Sequence, residues 1–211
     1  MLALQLYGVQ QQQWPAFGRH IMAQADTASV VVYQAFSPEI ADYAVNNQRF
    51  GGPFSFTRMS WIKPNFLWMM FRSGWATKHG QERVLAVRIE RSFFDGVLSK
   101  AIHSNFEPNR FQSREQWREQ LHSSEVRLQW DPDHDPSGAP VERRAIQLGL
   151  RGSVLKKYAT SAIVSLLDIT DFVVSQRANA VAPYERLETP LERPFVPQDA
   201  TIYRSVGLDE L

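Results

Sequence analysis

The chain has 211 residues, with 23 lysines and arginines against 22 acids, and is 44% hydrophobic and 12% aromatic. That is the composition of one soluble globular domain with a full core, and a formal charge of +1 excludes a general nucleic-acid coat. The lack of cysteine excludes disulfides, thiolate nucleophiles and thiolate metal sites. The longest apolar run, Phe66 to Phe71, is far short of a membrane span and the N-terminus has no basic signal-peptide region, so the expected location is the cytoplasm, without a membrane partner.

In chain order, residues 1–17 carry the glutamine run Gln10 to Gln13 and Trp14-Pro15, and read as a poorly specified lead-in. Residues 18–180 read as one α+β domain. Ser29 to Ala35 is a continuous β-branched and aromatic run, too apolar for a one-sided strand, and is expected at the centre of a sheet. Gln34 is its polar anomaly. Ser37-Pro38-Glu39 opens a helix to about Asn47, with serine as cap and proline in the first turn. Gly51-Gly52-Pro53 then forces a turn.

The segment from Phe54 to Trp75 is the most concentrated in the chain. It holds Trp61, Trp68 and Trp75, three methionines, Arg58, Arg72 and Lys63. A short strand over Arg58 to Ile62 runs into Lys63-Pro64 and a helix over about Asn65 to Arg72, stopped by Gly74. The helix is apolar all round, as a helix buried on several sides is. Cations stand only at its margins, at Arg58, Lys63, Arg72 and Lys78, which is how a pocket for an anionic ligand is built and also how a core helix with solvated ends looks.

Arg83 to Ile89 is a second clear strand, and Ser92 is placed to cap the apolar-faced helix after it. Ser113-Arg114-Glu115-Gln116 is a capping box. Val126 to Trp130 alternates as a strand that Asp131-Pro132-Asp133-His134-Asp135-Pro136 is expected to break as a solvated turn. Strands over Arg143 to Leu150 and Ile163 to Asp168 follow, with helices capped by Ser153 and Thr170. Residues 181–211, with prolines at 183, 190, 194 and 197, read as an acidic tail laid on the surface or mobile. Strands and helices alternate without regular βαβ spacing. The expected class is therefore a single α+β domain with a mixed, mostly antiparallel sheet and flanking helices.

There is no glycine-rich dinucleotide fingerprint, no phosphate loop and no glycine elbow around a serine. The five histidines show no metal spacing, so no metal is expected, and His103 is expected to pack at the end of its helix.

The segments VYQAFSPEIADYAV, RMSWIKPNFLWMMFRSGW with ATKHGQERVLAVRI, VRLQWDPDHD and RRAIQLGLRG resemble the family catalogued as domain of unknown function 4291, over about Gly18 to Val173. The resemblance implies a bacterial-type single-domain protein and brings no catalytic residues. A second resemblance, of arrangement, is to ADP-ribosyltransferase-like folds, including RNA 2′-phosphotransferases. It implies NAD as cofactor and a catalytic set mapped here onto Gln34, Ser60 or Trp61, and Gln147. Gln34 can hydrogen-bond a ribose or amide but is no acid, and Gln147 lacks the negative charge that stabilises an oxocarbenium-like centre.

Independently, a dinucleotide site needs an aromatic face, amide- and ribose-binding groups, and cations for the pyrophosphate. Tyr33, Trp61, Arg58, Lys63, Arg72 and Lys78 are the candidate ligand-binding residues, with Arg19 placed to close over a phosphate. Each has a structural alternative, tryptophan as core above all. Three functions follow: a nucleotide-dependent transferase, a nucleic-acid (RNA or single-stranded DNA) binding module using the interleaved tryptophans, and a protein-interaction role for the tail.

Overall fold

The structure is a computed structural model and describes residues 2–210. In chain order its first elements are β1 (Leu4–Leu6), α1 (Tyr7–Gln10), β2 (Gly18–Arg19), β3 (Met22–Ala23), β4 (Ser29–Phe36), α2 (Pro38–Asn47), β5 (Ser60–Ile62) and α3 (Phe66–Ser73). The middle of the chain supplies β6 (Arg83–Glu90), α4 (Arg91–Ser99), β7 (Ile102–His103), α5 (Arg114–Ser123), β8 (Val126–His134) and β9 (Pro140–Leu150). After these come α6 (Gly152–Ala159), β10 (Ile163–Asp168), α7 (Thr170–Arg177), β11 (Glu188–Pro190), β12 (Arg193–Pro194) and α8 (Ala200–Val206). The result is one α+β domain with two principal sheets.

The first sheet is antiparallel, in the order β10-β6-β4. The second runs β2-β9-β8-β7, with β5 antiparallel to the C-terminal end of β9 and β2 parallel to its N-terminal part. One core lies between them. Val30, Val32, Leu85 and Val87 from the first sheet are buried with Leu128, Trp130, Ile146 and Leu148 from the second. The opposite face of the first sheet, with Val31, Tyr33, Val84 and Ala86, is covered by Phe66, Leu67, Met69 and Met70 of α3. Both faces of β4 are therefore dry, which accounts for its uninterrupted apolar run. The central strand of this sheet is β6, and β4 lies beside it at the sheet margin, a correction to the expected central position. Burial came from the layers above and below, which periodicity alone does not separate from a central place in the ladder.

The two sheets meet at a single backbone bridge. Tyr33 N–H donates to Lys63 C=O at 2.7 Å and Lys63 N–H donates to Tyr33 C=O at 3.2 Å. Directly beyond it, α3 starts under two caps: Asn65 Oδ1 accepts from Trp68 N–H at 2.6 Å, and Glu192 Oε1 accepts from Phe66 N–H at 2.7 Å. Gly74, at φ 58°, closes the helix in the left-handed conformation that glycine adopts without strain. Ser113 caps α5 as expected, accepting from Gln116 N–H at 3.1 Å. Ser37, Ser153 and Thr170 bond instead to the carboxylates of Glu39, Glu125 and Asp168, and Ser92 lies inside α4.

Three expectations change. Strand β8 is not broken after Trp130 but continues to His134, with a register shift between Pro132 and Asp133 that accommodates the proline. Asp133 is 1% exposed and takes both Nε and Nη2 of Arg143, at 2.9 and 2.6 Å, so the segment is an internal ion pair and no solvated turn. His134 stacks with Trp68 and Phe71, at centroid distances of 5.2 and 3.6 Å.

The lead-in and the tail are the third. β1 pairs with β11 and β3 with β12. Gln10 Nε2 donates to Thr189 Oγ1 at 2.8 Å and Gln10 Oε1 accepts from Glu192 N–H at 2.9 Å. Trp14 Nε1 donates to Glu192 C=O at 3.1 Å. Pro190 and Pro194 sit on short three- and two-residue strands, where a missing N–H breaks no long ladder. Phe195, Ile202 and Val206 are buried in the main core, and His103 Nε2 donates to Ser205 C=O at 3.1 Å, packed beyond the end of α4.

Because residues 181–210 are integral, Phe195→Ala, which removes a ring packed edge-on to Phe94 at 5.2 Å, should lower unfolding free energy by about 3–5 kcal/mol in urea titration. An unchanged midpoint would return the segment to the surface.

Candidate functional site

The end of β4, the loop from Phe54 into β5, and the Gly80-Gln81 turn enclose a cleft of about 470 Å³. Phe36, Ile40, Phe54 and Met69 give it an apolar wall. Gln34, Arg58, Ser60, Trp61 and Lys63 supply the functional groups. Among the described residues that line it there is no carboxylate.

Gln34 is 3% exposed on β4 and fully engaged. Its Nε2 donates to Ser60 Oγ at 2.9 Å and to Trp61 C=O at 3.1 Å, while its Oε1 accepts from Tyr158 O–H at 2.7 Å. Complete burial pushes the Tyr158 phenol well above its usual range, so it remains a donor. This chain orients Ser60: its oxygen accepts from Gln34, which leaves its own O–H free for the cleft. Gln34 and Ser60 were expected together and they touch.

Lys63 is the other unusual group. Its backbone makes the bridge between the sheets, its side chain is 6% exposed, and its amine has no hydrogen-bond or ion-pair partner among the described residues. Burial, and secondarily the charge of Arg72, lower its pKa to about 8, with Asp131 acting in the opposite direction. Trp61 lies over Gly149, where an added Cβ would come within 3.0 Å of Trp61 Cε2 and 2.5 Å of Met59 Sδ. The missing side chain is what lets the indole lie on the sheet.

Five of the ten expected residues thus converge: Gln34, Arg58, Ser60, Trp61 and Lys63. The others lie elsewhere. Tyr33 points to the opposite face of β4 from Gln34, as strand alternation requires, and packs on Phe66 at 5.5 Å. Arg19 donates to Glu107 at 3.0 Å, beside Asp209 and far along β9 from β5. Lys78 Nζ donates to Arg72 C=O at 2.7 Å and closes the C-terminus of α3. Gln147 Nε2 donates to Asp131 Oδ2 at 2.7 Å, while Gln129 Nε2 takes the Oδ1 at 2.7 Å. Arg72 is exposed on α3, unpaired among the described residues, and acts on Lys63 through its charge.

Sequence reasoning missed Tyr158 and Asp131. A buried glutamine on a strand demands partners on both ends of its amide, and Tyr158, on the apolar face of α6, was the one hydroxyl there. Asp131 was hidden in the supposed acidic turn. Among the described residues no cluster of three or more His, Asp or Glu side chains is arranged as a metal would need, and no helix is long and apolar enough to cross a membrane.

The geometry defines an α+β domain with a cationic cleft where its two sheets join. The chain belongs to the family described as a domain of unknown function, DUF4291, whose model matches residues 20–197. That match extends beyond Val173 into the proline-rich segment, in keeping with the pairing of β11 and β12. No curated protein matches the sequence.

The pKa of Lys63 generates a stability prediction. Its native value near 8 lies below the unfolded value of 10.5, so the unfolded chain binds more protons between those limits and this group makes stability rise with pH across that window. The difference corresponds to roughly 3 kcal/mol. Lys63→Met should raise stability at pH 7 and flatten the slope from pH 8 to about 10, beyond which Tyr7, Tyr33 and Tyr158, all raised by burial, oppose it. Loss of stability with an unchanged slope, in thermal unfolding, would make the lysine a structural partner.

Proposed function

We propose that this protein binds a phosphate-bearing nucleotide in the junction cleft and acts on it as a transferase, with NAD the first cofactor to consider. The observation that carries the reading is the sign of the cleft: Arg58 and Lys63 line it, no carboxylate among the described residues does, and Asp131, outside the lining, acts on Lys63 less than Arg72 does. On β6, by contrast, Arg83 is neutralised by Asp42 and Asp168, and Arg88 by Asp26. A volume of about 470 Å³ suits a small organic ligand. Trp61 and Phe54 offer apolar faces to a base, and Ser60 a donor to a ribose.

Transfer of an ADP-ribosyl group needs an anion beside the developing positive charge. The cleft lining supplies no such anion: Asp131, whose carboxylate Gln147 and Gln129 hold, stands outside it. The nucleic-acid alternative finds less support, because Trp68 is buried against His134 and Trp75 is tied to Pro136 C=O at 3.3 Å, so no row of open indole faces is presented. A tail acting as a contacting arm is likewise little supported, since Glu192 is 1% exposed and Phe195 is in the core.

NAD, ADP-ribose or ATP at a hundred times its dissociation constant should stabilise the fold by about 2.7 kcal/mol, a melting shift of several degrees. Arg58→Ala should lose most of it without a lower melting point of its own. Stabilisation by oligonucleotides alone, abolished by moderate salt, would contradict the proposal.

A further inference from the structure

Lys63 and Arg58 are both cations of the cleft, but they are built differently. Arg58 is exposed at the rim. Lys63 is buried, fixed through its backbone to Tyr33, and leaves its amine facing the cleft with no acceptor among the described residues. An ammonium held that way loses its hydration and gains in exchange only the attraction of Asp131, the least of the influences on it, whereas a neutral amine loses little. The pKa near 8 and the repulsion from Arg72 act in the same sense. A group meant only to hold a phosphate gains nothing from such burial, since an exposed arginine does that with full charge. A lysine kept partly neutral is instead a nucleophile.

We propose that Lys63 is an amine nucleophile that condenses with the carbonyl carbon of a phosphate-bearing aldehyde or ketone, with Arg58 holding the phosphate. The lone pair of the neutral Nζ amine forms a C–N bond as the carbonyl π pair moves to oxygen, which takes one of the two amine protons. The carbinolamine then releases that hydroxyl with the second amine proton as water, and leaves a C=N bond to Lys63. Aldehyde plus amine gives imine plus water, with no oxidant or reductant. Ser60, whose Oγ accepts from Gln34 at 2.9 Å and whose O–H is free, is the donor lining the same cleft. A ribose phosphate in its open-chain form belongs to this substrate class, so the inference deepens the nucleotide reading and rests on its anion site.

The test is borohydride trapping of the full chain with pyridoxal 5′-phosphate at pH 8, followed by peptide mass mapping. The chain has five lysines, so Lys78, Lys100, Lys156 and Lys157 serve as internal controls. The expected result is one label at Lys63, prevented by pyrophosphate, absent in Lys63→Arg, and formed about tenfold more slowly with unphosphorylated pyridoxal, the effect of one charge-assisted contact. Labels on the exposed lysines alone, while pyrophosphate still raises the melting temperature, would overturn the nucleophile and leave the anion site standing. A Lys63 label that pyrophosphate neither prevents nor competes with would overturn the phosphate-bearing substrate and the anion site together.

Discussion

The pair of backbone hydrogen bonds between Tyr33 and Lys63 is the constraint from which the rest of this structure follows. It joins the antiparallel sheet to the five-stranded one at the point where β5 hands over to α3. Because both polar groups of the Lys63 backbone are used there, the residue cannot move out of the interior. Alternation along β4 then sends Tyr33 to the α3 side and Gln34 to the cleft side. Pro64 ends the ladder without leaving a donor unpaired, and Asn65 and Glu192 take up the first N–H groups of the helix. Burial pushes the Glu192 carboxyl well above the carboxylate range, so the closing segment of the chain is tied to the helix by a group that water would otherwise claim.

Distribution of charge separates structure from function here. The buried Arg143 is matched by Asp133, and Arg19 and Arg110 share Glu107. Such pairs add little net stability but are costly to break singly. Arg58, Lys63 and Arg72 have no such partners among the described residues, and all three come from the segment between Phe54 and Trp75. Unanswered charge beside an apolar wall is an unfavourable arrangement for a free protein. A ligand that brings the missing negative charge removes the penalty, which is the physical basis for proposing a phosphate-bearing occupant.

Much of this was legible from local pattern. The apolar run of β4, the Pro-started α2, the Asn65 and Gly74 boundaries of α3, and β6 and β9 follow from propensity and punctuation, and structure formed where they pointed. The meeting of Gln34 with Ser60 was anticipated only by the resemblance of arrangement, since a buried amide by itself demands some partner and does not say which. What could not be read was nonlocal. The glutamine run and the proline-rich end look unstructured separately, and become ordered because each supplies the other's hydrogen bonds, Gln10 to Thr189 and Glu192. Asp133 reads as a solvated loop acid until Arg143, ten residues on, arrives across the hairpin. Tyr33, Arg19, Lys78 and Gln147 had suitable chemistry but the wrong face, edge or partner, which only the sheet register decides.

The most direct measurement of the central claim is the titration of the Lys63 side chain by NMR, with selectively labelled lysine, in the absence and presence of pyrophosphate. The account predicts a free value near 8 that rises when the anion binds, because the bound charge favours the ammonium. A free value near 10.5, unmoved by pyrophosphate, would mean that Lys63 is solvated and that the junction cleft is not an anion site.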